Sequence, residues 1–339
     1  MPTFSDVPNR LHDLLHGYRA TCVIVAALEL GLVEALREGP VDEAPLAERL
    51  GAHEPSLRRF VRALSILGLT EHHEKGVTLT ASGRLLLEGD AAMRERAILA
   101  RDEYLPAWLN LSHAVMSGET AFDRVFGMSA WEHRKRNPEL NECMNRTMAD
   151  DHTRARGSIP EAYDFSACRL VVDVGGGHGA LLADILSWFP QPSGLLFDQP
   201  HVVSGAPGLL AEAGVLQRCN IVGGSFFEHV PAGGDVYLLQ RVLHDWSDER
   251  CTAILRNCRA AMGAGSVLLV IENLVPDRIV PSDHLVMLDL HMMAMLGGKE
   301  RTQGEFRSLL ESTGFELVRS LTTRGPTEIL VAAPADPSR

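Results

Sequence analysis

The chain has 339 residues, which is more than one hydrophobic core usually serves, so we expect a principal domain accompanied by a second one. Its 45% hydrophobic and 22% charged residues are typical of a folded globular protein and exclude a disordered chain. A formal net charge of −12 argues against a protein that mainly binds phosphate groups. The composition therefore favours an uncharged small-molecule substrate.

Cysteine use and the N-terminal segment predict a cytoplasmic protein. None of the six cysteines is spaced two residues from another, and the count is low for a disulfide scaffold, so we expect free thiols in a reducing compartment. The first residues lack a basic region followed by an apolar stretch, which is the pattern of a signal peptide. The longest apolar run, around residues 22–28, is far shorter than the ~20 residues that span a bilayer.

Residues 1–90 are predicted to be helical and to form a winged-helix-like domain. Residues 46–69, followed by a polar turn and residues 77–87, have the outline of a helix–turn–helix with a wing, which often binds DNA. The second helix is apolar at most inward positions and carries few arginines, so we interpret the domain as a packing or dimerisation module. Two apolar faces with helical spacing support it: Cys22, Val23, Ala26, Ala27 and Leu30, and Leu57, Phe60, Val61, Leu64 and Leu67.

The remaining chain divides into a helical linker, residues 91–165, and an α/β domain, residues 166–339. From Arg169 onward, continuous apolar runs alternate with helix-like stretches, which is the pattern of a parallel sheet covered on both faces. The segments FELVRSL and TEILVAAP, separated by a Gly-Pro turn, predict a hairpin at one sheet edge. The predicted fold is therefore a Rossmann-like, mostly parallel sheet with an antiparallel edge hairpin.

A glycine-rich turn follows the first strand of this sheet. Gly175, Gly176, Gly177 and Gly179 allow a ligand to approach the backbone closely, ahead of a helix N-terminus. Asp198 ends the next strand, 23 residues after Gly175, where a carboxylate can accept hydrogen bonds from ribose hydroxyls. These features indicate an adenosyl ligand, but they fit NAD and S-adenosylmethionine equally well.

The stretch RVLHDWSDERC carries the candidate base. His244 follows a predicted strand at the carboxyl edge of the sheet, where ligands of open α/β folds bind, and Ser247 is predicted to cap the following helix. A histidine with an ordinary pKa near ~6.5 suits a general base. Glu272 ends the next strand and Glu300 follows in GGKERT, so both carboxylates could flank the imidazole.

In these motifs and in several others, the chain resembles the caffeic acid/hydroxyindole type of class I small-molecule O-methyltransferases, including bacterial enzymes that modify natural products. DVGGGHG resembles the cofactor loop of that family, FDQPHV its ribose strand, and GGSFFEHVPAGGDVYLL its adenine segment. LHDWSDE, IENLVPD and LGGKERT match its catalytic stretches, and GMSAWEHRKRNPELNECMNRTM is similar to its pocket-lining helices. The resemblance implies methyl transfer from S-adenosylmethionine to a hydroxyl of a small aromatic molecule.

The resemblance also implies roles for individual residues. His244 would be the general base, held by Glu272 and Glu300. Members with this N-terminal module usually form homodimers through it, which agrees with the expectation that it binds no nucleic acid. Ser225 stands where the family usually has Asp, and Gln240 where plant members often have Lys, so the contact at the adenine end would be made differently. The cofactor would contact Gly175, Gly177, Asp198, Ser225, Phe226 and Gln240, and the substrate pocket would include Met144, Met148, His291 and Met292.

The implied chemistry is a proton removal beside an activated methyl group. Transfer from a phenol of pKa near ~10 to a histidine near ~6.5 is uphill by about 5 kcal/mol in water, and flanking carboxylates would reduce that difference. The sequence shows no evident His and Asp ligand cluster, so no metal is expected. Three alternatives stay open: an NAD-dependent oxidoreductase, a regulatory DNA- or ligand-binding protein, and a methyltransferase relative that uses the cofactor for another reaction.

Overall fold

The computed structural model describes residues 6–335 apart from 88, 90, 91, 277 and 279–283. The chain divides into two compact units, Met1–Pro106 with Trp131–Asp150, and Ala107–Ala130 with Asp151–Arg339. Residues 91–165, which the sequence predicts as one linker, contribute to both units. The predicted domain boundaries stay a prediction.

Short helices and one hairpin make up the chain before the large sheet. In chain order they are α1 (Asp6–His16), α2 (Tyr18–Glu29), α3 (Leu32–Ala35), α4 (Glu43–Leu50), α5 (Glu54–Ile66), β1 (Thr70–His73), β2 (Gly76–Leu79), α6 (Ala81–Arg84), α7 (Met93–Leu99), a π-helical turn (Ala100–Tyr104), α8 (Leu105–Trp108), α9 (Leu111–Ser117), α10 (Ala121–Phe126), α11 (Ala130–Arg136), α12 (Pro138–Ala155) and α13 (Ser158–Ala162).

The first unit has the predicted helix–turn–helix with a wing. Helices α4 and α5 precede the antiparallel pair β1–β2, in which Thr70 lies opposite Leu79. Its core contains the spaced apolar residues Leu57, Val61 and Leu64 of α5, as the helical periodicity predicts. Three positions of the predicted apolar faces are exposed instead: Cys22 points away from that core, and Leu30 and Leu67 follow the last residues of α2 and α5, where the helical face ends.

The second unit contains a seven-stranded sheet among its described residues. Its strands are β3 (Leu170–Val174), β4 (Ser193–Asp198), β5 (Cys219–Gly223), β6 (Val236–Gln240), β7 (Val267–Glu272), β8 (Phe315–Thr322) and β9 (Glu328–Pro334). The helices that follow β3 in the chain are α14 (Ala180–Trp188), α15 (Pro200–Val203), α16 (Ala206–Glu212), α17 (Asp248–Ala261), α18 (His284–Met295) and α19 (Gln303–Glu311), with 3₁₀ turns at Leu216–Arg218 and Leu243–Asp245.

The strand order is β5-β4-β3-β6-β7-β9-β8. The five strands β3, β4, β5, β6 and β7 are parallel, and β9 is antiparallel to both β7 and β8. Successive strand residues point to opposite faces, so Val172 packs in one core and its neighbour Val171 in the other. Both faces are therefore buried, which explains the continuous apolar runs of the sequence. The predicted mostly parallel sheet with an antiparallel edge hairpin is confirmed.

The sheet order places the functional segments together. The chain leaves β3 toward β4 on one side and later returns to β6 on the other, which makes the β3–β6 boundary a topological switch point. The glycine turn follows β3 and the His244 turn follows β6, so both lie at the carboxyl edge of this boundary. Over the residues described, no helix has both the length and the apolarity that crossing a membrane requires.

Candidate active site

His244 lies in the 3₁₀ turn between β6 and α17, and only 6% of its surface is exposed. The helix after it begins as predicted, because the Ser247 hydroxyl accepts the Arg250 main-chain N–H at 3.4 Å. In the loop that carries Glu300, Thr302 and Glu305 form a capping box that fixes the start of α19. Two fixed helix starts thus limit the movement of the base and of its carboxylate.

Two carboxylates contact the imidazole: Asp245 Oδ1 lies 3.3 Å from Nε2, and the closer contact, at Nδ1, is made by Glu300. Its Oε1 lies 2.9 Å from His244 Nδ1, and its side chain is fully buried. The Glu300 main-chain N–H donates to Asp289 Oδ1 at 2.9 Å, and this bond fixes the backbone of Glu300. A carboxylate accepts only, so the shorter of the two contacts favours the proton on Nδ1 and the lone pair on Nε2 in the neutral ring. That is the tautomer a general base needs at Nε2.

Glu272 contacts the main chain of the turn. Its Oε1 accepts the N–H groups of Val242 at 3.1 Å, Leu243 at 2.9 Å and His244 at 3.3 Å. One buried carboxylate oxygen therefore fixes three consecutive amides, which sets the position of the imidazole through the backbone. Sequence reasoning placed Glu272 near the base correctly but did not foresee that it would act on the backbone of the turn.

The buried charges shift the pKa of each group in this cluster. Burial lowers the pKa of His244, but the carboxylates of Asp245 and Glu272 and the hydrogen bond to Glu300 outweigh it, so the net shift is upward. Burial raises the pKa of Glu272. Burial also acts upward on Glu300, yet its hydrogen bond to His244 and the charge of Arg241 bring the pKa of Glu300 below its ordinary value. The imidazole is thus a stronger base than free histidine.

Arg301 ties the turn to the loop that carries Glu300. It is a fully buried arginine whose guanidinium donates to the carbonyls of Leu243 and Trp246, each at 2.9 Å, and to Asp248 Oδ1 at 2.7 Å. Its rigid fork of donors suits several acceptors at once. This role is not predictable from the sequence, because a buried arginine cannot be distinguished from an exposed one by its neighbours in the chain.

The glycine turn after β3 has the conformation that the sequence predicts. Gly175 and Gly177 have φ values of 72° and 59°, in the left-handed region that favours glycine. A Cβ at Gly175 would lie 2.9 Å from Val242 Cγ2 and 3.4 Å from Phe226 Cε1, so no larger residue fits there. The close approach brings the glycine turn against the predicted adenine segment and against the turn of the base.

Two carboxylates lie beneath this glycine turn. Asp198 Oδ2 accepts the Gly177 N–H at 2.9 Å and Oδ1 accepts the Gln199 N–H at 2.6 Å, which orients it at the end of β4. Burial raises the pKa of Asp198, and these amide bonds oppose the shift. Asp173 is 1% exposed, its Oδ2 has no hydrogen-bond partner within the described part of the chain, and burial together with Asp198 raises its pKa to about 7. Sequence reasoning overlooked Asp173.

The other predicted cofactor residues lie at neighbouring strand ends. Ser225 follows β5, and its hydroxyl accepts the Phe227 N–H at 3.3 Å. Phe226 packs edge to face against Phe227 with ring centroids 4.8 Å apart, and its carbonyl accepts from Asn257. Gln240 is the last residue of β6. Open backbone at Gly177, an oriented carboxylate at Asp198 and acidic surroundings fit an adenosyl ligand that carries a positive charge.

The predicted substrate residues fall in both compact units. His291 and Met292 lie on α18, where Met292 is buried and His291 Nδ1 accepts from Trp108 Nε1 at 3.1 Å. The indole N–H can only donate, so this bond keeps the proton of a neutral His291 on Nε2. Met144 and Met148 lie on α12, half-buried and exposed respectively, in the first unit. Their role in a pocket stays a prediction.

Among the described residues, one cluster of histidine and carboxylate side chains is close enough to share a metal ion. His244, Glu272 and Glu300 each offer an atom within 4.8 Å of the others. The hydrogen bonds above already engage one oxygen of each carboxylate, and the cation of Arg241 lies 3.3 Å from Glu300 Oε1. Those oxygens are therefore already engaged by groups of the chain itself. The expectation that no metal is needed stays a prediction.

Comparisons with known proteins agree with this geometry. Residues 108–316 match the family of O-methyltransferase domains, and residues 12–89 match the O-methyltransferase dimerisation domain. A phenazine O-methyltransferase, PhzM, of Lysobacter antibioticus is 40% identical over 326 residues, covering 96% of this chain and 95% of the relative.

Solved structures extend the likeness to the fold. The mitomycin 7-O-methyltransferase MmcR superposes with a TM-score of 0.90 at 38% identity, covering 98% of each chain. The O-methyltransferase NcsB1 from neocarzinostatin biosynthesis, in complex with S-adenosylmethionine and 2-hydroxy-5-methyl naphthoic acid, has a TM-score of 0.81 at 30% identity, covering 93% of this chain and 96% of that one. The chain therefore belongs to the O-methyltransferase family and is an S-adenosylmethionine-dependent enzyme.

Proposed function

We propose that the enzyme methylates a hydroxyl group of a small aromatic natural product, with His244 as the general base. The observation that carries this proposal is the 2.9 Å contact between His244 Nδ1 and Glu300 Oε1 in a buried turn. It leaves Nε2 as the basic atom at the carboxyl edge of the sheet. The aromatic acceptor is inferred from relatives whose names state such substrates, including 3-amino-4-hydroxybenzoate and 2,7-dihydroxy-5-methyl-1-naphthoate.

Different residues of the chain bind the cofactor, accept the proton and hold the turn in position. S-adenosylmethionine supplies a methyl group that its sulfonium charge activates. Asp198 and the glycine turn hold the adenosyl part, with contacts from Ser225, Phe226 and Gln240. Nε2 of His244 accepts the hydroxyl proton, and the negative charge of Glu300 stabilises the imidazolium that forms. Glu272 keeps the turn in place throughout.

His291 and Met292 line the acceptor side in this proposal. Met292 offers a polarisable apolar surface that suits a flat ring, and His291 is held in a defined tautomer by Trp108. Met144 and Met148 are further proposed substrate contacts, as the family resemblance implies. The reaction needs no metal, so activity should survive exhaustive treatment with a chelator.

The assembly belongs to the same proposal. The chain forms a homodimer through its dimerisation domain, where α1 exposes Leu11, Leu14 and Leu15 on one amphipathic helix. It binds no nucleic acid, because Arg58 of the second helix is neutralised by Glu43 and Glu54 at 2.7 and 2.6 Å. We place the enzyme in the cytoplasm. Light scattering that gave a monomer with full activity, or DNA binding that survives competitor, would contradict this assembly.

The experiment combines an acceptor panel with variants of the base. Hydroxylated phenazines, naphthoates and aminobenzoates are incubated with S-adenosylmethionine, and release of S-adenosylhomocysteine identifies an acceptor. His244→Ala should lower turnover by about 10²–10⁴, the usual contribution of a positioned base. Calorimetry should show unchanged affinity for S-adenosylmethionine. His284→Ala, an exposed histidine at the start of α18, is the control and should turn over normally. Normal turnover in His244→Ala would refute the proposal.

A further inference from the structure

Arg241 stands between the last residue of β6 and the turn of the base, and the family motifs of the sequence assign it no role. Its backbone has a φ of 54°, the left-handed region that non-glycine residues rarely occupy. Its N–H donates to Ile271 O at 3.0 Å, so the pairing of β6 with β7 continues into this strained residue. Such conformations persist where the surroundings impose them, and they concentrate at functional sites.

The guanidinium of Arg241 contacts the carboxylate that holds the base. Nη1 lies 3.3 Å from Glu300 Oε1, the same oxygen that lies 2.9 Å from His244 Nδ1. Asn273 fixes the guanidinium from the other side: with its amide oriented to satisfy its partners, its oxygen accepts from Arg241 Nη1 at 2.5 Å and its nitrogen donates to Pro326 O at 3.2 Å. One buried oxygen is thus shared by a permanent cation and a titratable ring.

The contact between Arg241 and Glu300 affects the protonation of His244 because it changes the balance of charge around the imidazole. Among the described residues, the positive side chains that hydrogen-bond to Glu300 are His244 and Arg241, so without Arg241 the buried carboxylate would favour the protonated form of the ring more strongly. An imidazole that is already protonated cannot accept a proton. The other charged or titratable groups against the turn are Asp245 at 3.3 Å from Nε2, Glu272 on its amides, Arg301 on its carbonyls, Cys251 on the Leu243 carbonyl, Asp248 on Arg301, and Asp289 on the Glu300 amide.

We infer that Arg241 is a positioning residue that serves as the permanent counter-ion of Glu300 and so favours the neutral form of His244, which can accept the proton of the acceptor hydroxyl. This inference rests on the proposed role of His244. It explains why a charged side chain occupies a strained position beside the base. It also separates two functions of Glu300, which can orient Nδ1 in the resting enzyme and still stabilise imidazolium after the proton has moved.

The test measures the ionisation of His244 directly, without an acceptor. The enzyme is labelled at its histidines and titrated by NMR in complex with S-adenosylhomocysteine, with the His244 signal assigned by its loss in His244→Ala. Arg241→Gln keeps hydrogen-bond donors but removes the charge, and it should raise the pKa of His244 by about 0.5–1 unit. Arg241→Lys keeps the charge and should leave that pKa near its wild-type value. Arg256→Gln, at an exposed position on α17, is the matched control.

The rate of methyl transfer gives a second readout. The acidic limb of the profile of kcat/KM against pH should move upward in Arg241→Gln, with up to about tenfold loss near neutral pH and recovery at high pH. If Arg241→Gln folds poorly, Asn273→Ala should move the limb in the same direction by less, because the guanidinium loses its anchor. An unchanged pKa of His244 in Arg241→Gln, or equal losses at every pH, would overturn the inference.

The two proposals fail in different ways. If His244→Ala keeps its turnover, the base itself is wrong and the inference falls with it. If His244→Ala loses turnover while Arg241→Gln leaves the titration of His244 unchanged, only the role of Arg241 is wrong. If Arg241→Gln and Arg241→Lys raise the pKa of His244 equally, geometry rather than charge sets the titration, and the inference is also wrong.

Discussion

The turn after β6 and the glycine turn after β3 lie at the same edge of the sheet, yet the buried carboxylates at the two turns have different hydrogen-bond partners. At the turn of the base, Glu300 contacts both His244 and the guanidinium of Arg241. At the glycine turn, Asp198 receives only amide N–H groups, and Asp173 Oδ2 receives no hydrogen bond within the described residues. Oε2 of Glu300 and Oε2 of Glu272 also lack a hydrogen-bond partner within the described residues, so the regions differ in the positive side chains that contact Glu300 and not in complete pairing of every oxygen. The glycine turn, where the hydrogen bonds to Asp198 come from amides, suits a ligand that brings positive charge.

The direction of the pKa shifts follows this difference. The pKa of Glu300 lies below its ordinary value despite burial, because His244 and Arg241 compensate it, whereas burial and the neighbouring Asp198 raise the pKa of Asp173 to about 7. A compensated carboxylate can hold a catalytic group in one geometry. An uncompensated one stores unfavourable free energy that a cationic ligand can relieve.

Replacement of Glu300 by Gln should have the largest effect. The amide cannot match a carboxylate in fixing the proton on Nδ1 and stabilising imidazolium, so turnover should fall by about 10²–10⁴. Affinity for S-adenosylmethionine should change little, because Glu300 contacts the base and not the glycine turn. Steady-state kinetics and calorimetry check both parts. Turnover within a factor of two of wild type would mean that the compensated cluster is only structural.

Asp173→Asn should stabilise the protein at high pH. The folded pKa of about 7 lies above the unfolded value near ~3.9, so ionisation of Asp173 opposes folding as the pH rises between these values. The variant should exceed wild type by about 2–4 kcal/mol at pH 8, with the difference vanishing below about pH 4. Thermal unfolding across this range measures it, with Asp123→Asn, at an exposed position on α10, as control. A variant that loses stability at pH 8 would contradict the comparison.

Asp198→Ala should weaken binding of S-adenosylmethionine by about 1.5–3 kcal/mol, as for a charge-assisted hydrogen-bonded pair. The variant should still fold, since the amides of Gly177 and Gln199 that it leaves are half-buried or exposed. Isothermal calorimetry gives the affinity. An unchanged dissociation constant would remove Asp198 from the cofactor site.

The sequence predicts the fold, and the strand ends that carry the candidate site residues, because both follow from local patterns. Apolar runs between helices predict the sheet, and its order then brings Gly175, Asp198 and His244 to one edge. The division of labour between Glu272 and Glu300 is not predictable in this way, since it depends on which oxygen meets an amide and which meets a ring. Arg241 and Arg301 were missed for the same reason, because each acts through contacts with residues 30 to 60 positions away or with carbonyls of the turn.

The most direct measurement compares acceptors of different acidity on wild type and His244→Ala. A nitrated phenol arrives largely ionised and needs no base, whereas its parent phenol, with a pKa near ~10, does. If His244 removes the proton, the loss caused by His244→Ala should be about 10²–10⁴ for the parent and far smaller for the nitrated phenol. Equal losses for both acceptors would show that His244 positions the substrate, and the account of the base would be wrong.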